Sequence, residues 1–230
     1  MSKMPTGLPS LDRALGGGLS SDGVTLIAAP PKVFLTTLLV YLMKAWSRQG
    51  DRVYFITTED SRFHVMARLK ALAGGDDPSL IHIVSIPDDL PLRPLEMLQG
   101  PAPSILIVDS LEGLGALLSD SSGPEVAMRA LKAYAIHRQV PVLMGCSLSR
   151  QSKDLLNNQD AAPAQLAEVT KHAAYPEYAA SAMLVLERHP DQQPYSFTVK
   201  LHVAQTRQGL ECTTMLLTLF ADGLILETAP

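Results

Sequence analysis

Three continuous apolar runs, at residues 24–28, 105–108 and 140–145, constrain the fold of this chain more than any other feature. Each is too short for an ordinary helix. None shows the alternation of a strand with one wet face. Such runs fit strands covered on both sides, the pattern of a parallel sheet. Segments with helical periodicity lie between them. One covers 35–49 and stops at Gly50; one covers 62–73, with Phe63, Val65, Met66, Leu69 and Leu72, and stops at Gly74 and Gly75; one covers 125–138. Strands at 53–58 and 81–86 and a short helix at 91–99 complete this part. Strand–helix alternation implies right-handed crossovers and a mostly parallel central sheet flanked by helices. The last third differs. Residues 149–166 are polar and read as a loop. Residues 182–187, 195–204, 213–220 and 223–227 read as strands in meander order, with Asp222 and Gly223 as a hairpin turn. The expectation is one α/β domain over 1–230 with an antiparallel C-terminal extension.

Composition fits that reading. A chain of 230 residues with 47% apolar content can bury one large core. Charged residues make up 18%, below the usual quarter, which fits a large buried sheet or a subunit interface. A net charge of −4 gives no general basic footprint for nucleic acid. Cys146 and Cys212 are too few for a disulfide framework, and they read as small buried hydrophobes in a reducing compartment. No apolar leader opens the chain, and no apolar span approaches the ~18 residues of a membrane helix. The expected location is the cytoplasm, without a membrane partner.

The turn between the first apolar run and helix 35–49 has the frame of the phosphate-binding pattern G-x-x-x-x-G-K-[ST]. Aligned on Thr36, it carries Ala29 for the first Gly, Phe34 for the second and Leu35 for the Lys. In an intact loop, glycines let backbone N–H groups converge on phosphates at a helix N-terminus, and the Lys adds charge. Here Leu35 brings none. Phe34 stands where a positive φ is usually needed, so the loop is expected to follow another path and partly fill the phosphate site. Lys32, three residues before the usual Lys position, is the one charge that could swing in.

Other segments carry a family resemblance. Thr6, Gly7, Leu11, Asp12 and Gly16 to Leu19 resemble the opening T-G-x-x-x-L-D-x-x-L-G-G-G-L of RecA-fold P-loop ATPases of the RadA, KaiC and DnaB/RepA-helicase type. The strand ending at Glu59 is similar to their second strand, which ends in a catalytic Glu. The strand ending at Asp109 resembles a Walker B strand, whose Asp holds Mg²⁺ through water. Residues 141–150 resemble the sensor strand, with Ser147 in place of its Gln. Residues 201–209 resemble the K-x-R-x-G arginine-finger strand, with Gln205 for the Lys and Arg207 kept.

The resemblance implies a RecA-like P-loop NTPase fold with ATP and Mg²⁺ as cofactors, possession of which the altered loop puts in question. It implies a nucleotide site from Ala29, Pro30, Pro31, Lys32, Val33, Phe34, Leu35, Thr36 and Thr37, with Thr36 and Asp109 toward the metal. Glu59 takes the place of the general base. Arg207 takes the place of an arginine reaching a neighbouring subunit's phosphate. Asp60 reads as the N-cap of helix 62–73. Trp46 reads as packing its helix on the core. For single-stranded DNA the candidate loops are 119–124 and 149–172, the second with Arg150, Lys153 and Lys171; Tyr175 and Tyr178 are stacking candidates. The expected partners are copies of this chain or a paralogous ATPase subunit. The leading expectation is a scaffold or regulatory subunit in DNA repair, replication or recombination with weak or lost ATP binding. The alternatives are a working ATP-driven DNA motor using Lys32, Thr36, Glu59 and Asp109, and a KaiC-like ATP-sensing protein.

Overall fold

The structure is a computed structural model that describes residues 2–72, 77–86, 102–118, 123–148, 180–189, 196–206, 213–220 and 225–228. In chain order the elements are β1 (Lys3–Met4), α1 (Pro9–Ala14), β2 (Leu19–Ser20), β3 (Val24–Ala29), α2 (Leu35–Arg48), β4 (Val53–Thr57), α3 (Arg62–Ala71), β5 (Ile81–Ser85), β6 (Ile105–Asp109), α4 (Leu111–Leu118), α5 (Gly123–Arg138), β7 (Val142–Ser147), β8 (Ala182–Arg188), β9 (Ser196–Thr206), β10 (Thr213–Phe220) and β11 (Ile225–Thr228).

Nine strands form one sheet in the order β11-β10-β9-β8-β3-β7-β6-β4-β5. The run from β8 through β3, β7, β6 and β4 to β5 is parallel. The pairs β8–β9, β9–β10 and β10–β11 are antiparallel. This is the predicted parallel core with an antiparallel meander. All residues of β3, β4 and β6 are buried, which is why these segments read as unbroken apolar runs. One apolar layer joins one sheet face to α1, α2 and α3, and the other joins the opposite face to α4 and α5. No described helix is long and apolar enough to cross a membrane.

The N-terminal landmark has a local physical cause. The Asp12 carboxylate accepts from Thr6 N at 2.7 Å, Thr6 Oγ1 at 2.8 Å and Gly7 N at 3.3 Å, so the Thr–Gly–Asp spacing folds into one closed turn. Gly18 follows at φ 122°, and a Cβ there would strike the Met4 carbonyl. The expected packing role of Trp46 is also met. It is fully buried in α2, and its Nε1 donates to Pro5 O at 2.6 Å. Buried Lys44 donates from Nζ to Leu69 O at 3.2 Å and Leu72 O at 2.7 Å, tying α2 to the C-terminal end of α3.

Several boundaries differ from the sequence expectation. Helix 62–73 is observed as Arg62–Ala71, and helix 125–138 begins earlier, at Gly123. Helix α4 was not expected at all. Its sequence holds Gly113 and Gly115, poor helix formers, and tertiary contacts require both. A Cβ at Gly113 would strike Thr58, and one at Gly115 would strike the Gly123–Pro124 backbone. The proposed 91–99 helix, the Asp222–Gly223 turn and Cys212 lie outside the described residues. Cys146 is buried in β7 as expected, and burial pushes its thiol well above the usual range.

Candidate functional site

Sheet register assembles the site. β3 pairs with β7 so that Ala29 lies beside Ser147. β4 pairs with β6 so that Thr57 lies beside Asp109. The C-terminal ends of four parallel strands therefore open on one side, where ligands of open α/β sheets bind. A cleft of about 410 Å³ is found there, lined by all nine loop residues from Ala29 to Thr37 with Glu59, Arg68, Asp109, Ser110 and Ser147. Glu59, Thr36 and Asp109, far apart in sequence, are thus brought together. Arg207, Arg150, Lys153, Lys171, Tyr175 and Tyr178 lie outside the described residues.

The loop keeps the left-handed residue that it was expected to avoid. Phe34 caps α2 at φ 60° and ψ 26°, and Lys32 also has a positive φ of 65°. For an L-residue with a side chain this conformation costs about 1–2 kcal/mol. The Phe34 ring packs on Phe197 of β9, with centroids 4.1 Å apart, and the Arg188 guanidinium lies 5.0 Å from the Phe197 centroid. Those contacts offset the backbone cost and turn the ring toward the C-terminal sheet. Leu35 is half-buried in the layer of α2. Its position depends on Gly145, where a Cβ would approach Leu35 Cδ2 to 3.0 Å and Leu39 Cδ1 to 3.3 Å.

Thr36 Oγ1 donates to Asp109 Oδ2 at 2.8 Å. Asp109 is buried, and its carboxyl is raised from 3.8 to about 6. Desolvation is the main cause; the Thr36 hydrogen bond opposes it, and the nearby charges of Glu59 and Asp60 add to it. Ser110 Oγ donates to Glu59 Oε1 at 3.1 Å. The peptide bond between Asp109 and Ser110 is cis.

Asp60 is not the cap of α3. Ser61 is, its hydroxyl accepting from His64 N at 3.3 Å. Asp60 instead faces Arg68 at 3.3 Å, because the first turns of α3 bring residue 68 back over the strand end. Glu112 was not foreseen. Its Oε1 accepts from Ser147 N at 2.7 Å, its Oε2 is buried with no hydrogen-bond partner among the described residues, and burial raises its carboxyl. Only the unexpected helix α4 places it there, so no spacing in the sequence marks it.

The donor set fits a hard divalent cation. A hydroxyl and a carboxylate stand together, with Glu59 beside them, and these are the oxygen ligands that Mg²⁺ takes. Leu35 offers hydrocarbon where a lysine would offer charge, and Arg68 is drawn to Asp60.

Residues 3–121 match the group described as Family of unknown function (DUF7125). The chain is 33% identical over 136 residues to the DNA repair protein RadA of Mycolicibacterium smegmatis, covering 57% of this chain and 28% of that protein. It is 30% identical over 130 residues to the RadA of Mycobacterium tuberculosis, covering 56% and 27%. The chain thus spans little more than a quarter of these relatives' length. Among solved structures, the KaiC-like protein PH0186 of Pyrococcus horikoshii superposes with a TM-score of 0.74 at 15% identity, covering 99% of both chains. A DnaB-like replicative helicase gives 0.75 at 20% identity, covering 98% of this chain and 63% of that one. These two likenesses concern the fold. With fold, register and sequence relatives in agreement, the chain belongs to the DUF7125 family, within the RecA-fold P-loop ATPase superfamily.

Proposed function

We propose that this protein is a RecA-type ATPase-fold subunit whose ATP binding is weakened and whose hydrolysis is poor or lost, serving as a scaffold or regulator in DNA repair, replication or recombination. One observation carries the reading. Leu35 packs beside Leu39 and Gly145 at the position where a phosphate loop needs its cation, while Thr36, Asp109 and Glu59 keep the metal side. A charge-assisted phosphate contact contributes about 1.5–3 kcal/mol, so its loss weakens ATP binding roughly 10- to 150-fold. Similarity to proteins described as RadA supports the DNA context. A cytoplasmic location and assembly with copies of itself or with a paralogous ATPase belong to the same proposal. So does single-strand contact through Arg150, Lys153 and Lys171. Calorimetry with MgATP, run beside a phosphate-release assay, tests the core of it. Binding in the low micromolar range with turnover refutes the weakened site.

The second reading is a working motor with a divergent loop. It is favoured by the Thr36–Asp109 hydrogen bond and by Glu59 at the cleft wall, the residue types that metal-assisted hydrolysis needs. In that reading Lys32 supplies the missing charge, and Lys32→Ala abolishes turnover.

A further inference from the structure

The strands that open on the cleft are not joined equally far along their length. β3 and β7 pair up to Ala29 and Ser147, and β4 and β6 pair up to Thr57 and Asp109. β6 and β7 pair only as far as Val108 and Met144. Past that point β6 turns into α4 while β7 runs on. The Val142 and Leu148 N–H groups point to β3, donating to Gly23 O at 3.0 Å and Ala29 O at 2.9 Å. N–H groups alternate in direction along a strand, so that of Ser147 points the other way, across the gap left by β6. Glu112 Oε1 meets it at 2.7 Å and stands in for the carbonyl that β6 no longer supplies.

The start of α4 is shaped to bring Glu112 there. Its neighbour Gly113 is a poor helix former, yet a Cβ at that position would lie 2.0 Å from Thr58 Oγ1. Thr58 in turn ties β4 to the end of β6: its N–H donates to Asp109 O at 2.7 Å, and its hydroxyl accepts from Ser110 N at 3.1 Å. The Ser110 hydroxyl donates to Glu59 Oε1 at 3.1 Å. Glu112 stands off the cleft wall, which Glu59, Asp109, Ser110 and Ser147 help to form. Extending a strand ladder needs one acceptor oxygen, and an amide supplies it without burying a charge. Glu112 instead keeps a carboxylate whose second oxygen is buried with no hydrogen-bond partner among the described residues. Burial chiefly raises this carboxyl, and the charge of Glu59 adds to that. The excess negative charge beside Glu59 is what a purely structural clamp would not carry.

Resting on the cation side kept in the reading above, we propose that Glu112 is a positioning residue for a divalent cation at Thr36 and Asp109. It clamps the unpaired ends of β6 and β7 and adds its charge to those of Glu59 and Asp109 without touching the ion. Groups that support metal ligands from outside change affinity by roughly 10- to 100-fold when replaced.

The test is a titration of the full chain with Mn²⁺ in place of Mg²⁺, read from the electron paramagnetic signal of the free ion. Broadening of the Thr36 and Asp109 amide resonances by Mn²⁺ locates the bound ion. Glu112→Gln keeps an acceptor for Ser147 and removes the charge. It should weaken Mn²⁺ binding about 10-fold or more, while the Ser147 amide keeps its protection from hydrogen exchange and the cation-free melting temperature does not fall. Glu112→Ala should weaken binding at least as far and also expose the Ser147 amide to exchange. Wild-type affinity in Glu112→Gln overturns the proposal, because the residue is then only a structural clamp. A Ser147 amide that exchanges equally fast in wild type and Glu112→Ala overturns it too. So does broadening that spares Thr36 and Asp109, or no saturable Mn²⁺ binding at millimolar concentration. The two readings fail separately. Low-micromolar MgATP binding with turnover sinks the weakened site, and equal Mn²⁺ affinity in wild type and Glu112→Gln sinks the role of Glu112.

Discussion

Asp109→Asn measures what the protein spends in stability to keep a charged carboxylate in its cleft. Asp109 is 3% exposed, accepts from Thr36 and has Glu59 and Asp60 as neighbours. Its carboxyl is raised from 3.8 to about 6, chiefly by burial. A carboxyl with a raised folded value binds its proton more tightly in the folded state. Stability from this group is therefore lost as pH rises from about 4 to about 6, and the loss is complete above that. At 1.36 kcal/mol for each pH unit of that gap, the loss is about 3 kcal/mol as an upper bound. Asparagine keeps the shape and an acceptor for the Thr36 hydroxyl but carries no charge. The variant should be more stable than wild type near neutral pH by up to about 3 kcal/mol, and the two should converge near pH ~4. For a chain of this size each kcal/mol moves Tm by about 2–4 °C. Thermal melts and urea titrations across that pH range read the gap directly. Millimolar Mg²⁺ should stabilise only the wild type, since a cation bound to the folded state raises its stability by mass action. A variant that is less stable than wild type near neutral pH, or a gap that stays constant with pH, refutes the reasoning.

Three other outcomes are expected. Leu35→Lys alone should not restore nucleotide binding, whereas Phe34→Gly with Leu35→Lys should recover more than the sum of the single changes, because both residues shape one loop; an additive result in titrations with MgATP counts against that. Gly145→Ala should cost about 1–3 kcal/mol in denaturant unfolding, because the new methyl group presses on Leu35 and Leu39. Ser61→Ala should cost about 1 kcal/mol through loss of the α3 cap, while Asp60→Ala should cost little, since its Arg68 partner is 47% exposed; the reverse order in unfolding experiments would restore Asp60 as the cap.

Much of the fold was legible because buried parallel strands must be apolar along their whole length. The runs at 24–28 and 105–108 marked β3 and β6, and the strand-like segments at 182–187, 195–204, 213–220 and 223–227 marked the meander of β8 to β11. That Thr36, Glu59 and Asp109 meet at one cleft was legible, because strand ends and a loop frame fix where their side chains emerge. Helix α4 was not legible, since its two glycines argue locally against a helix and only the close approach of Thr58 and α5 requires them. Glu112 stayed hidden with it. The role of Asp60 was misread because Asp60 and Ser61 are both good caps, and the choice between them rests on where α3 places Arg68.

The sequence by itself determined the alternation of the parallel strands with α2, α3 and α5, the substituted loop and the absence of a lysine at position 35. These follow from local hydrophobic pattern and residue identity, which need no knowledge of what packs where. Only the tertiary structure decided how the loop tolerates Phe34. A residue that should avoid φ 60° holds it because Phe197, 163 positions along the chain, presents a ring 4.1 Å away. It also decided the chemistry of Asp109. That carboxyl is raised by desolvation and by Glu59 and Asp60, which surround it only once β4 and β6 pair in register. Contacts between distant segments set both the strain that a backbone accepts and the field that a charge feels, and neither is written in local sequence.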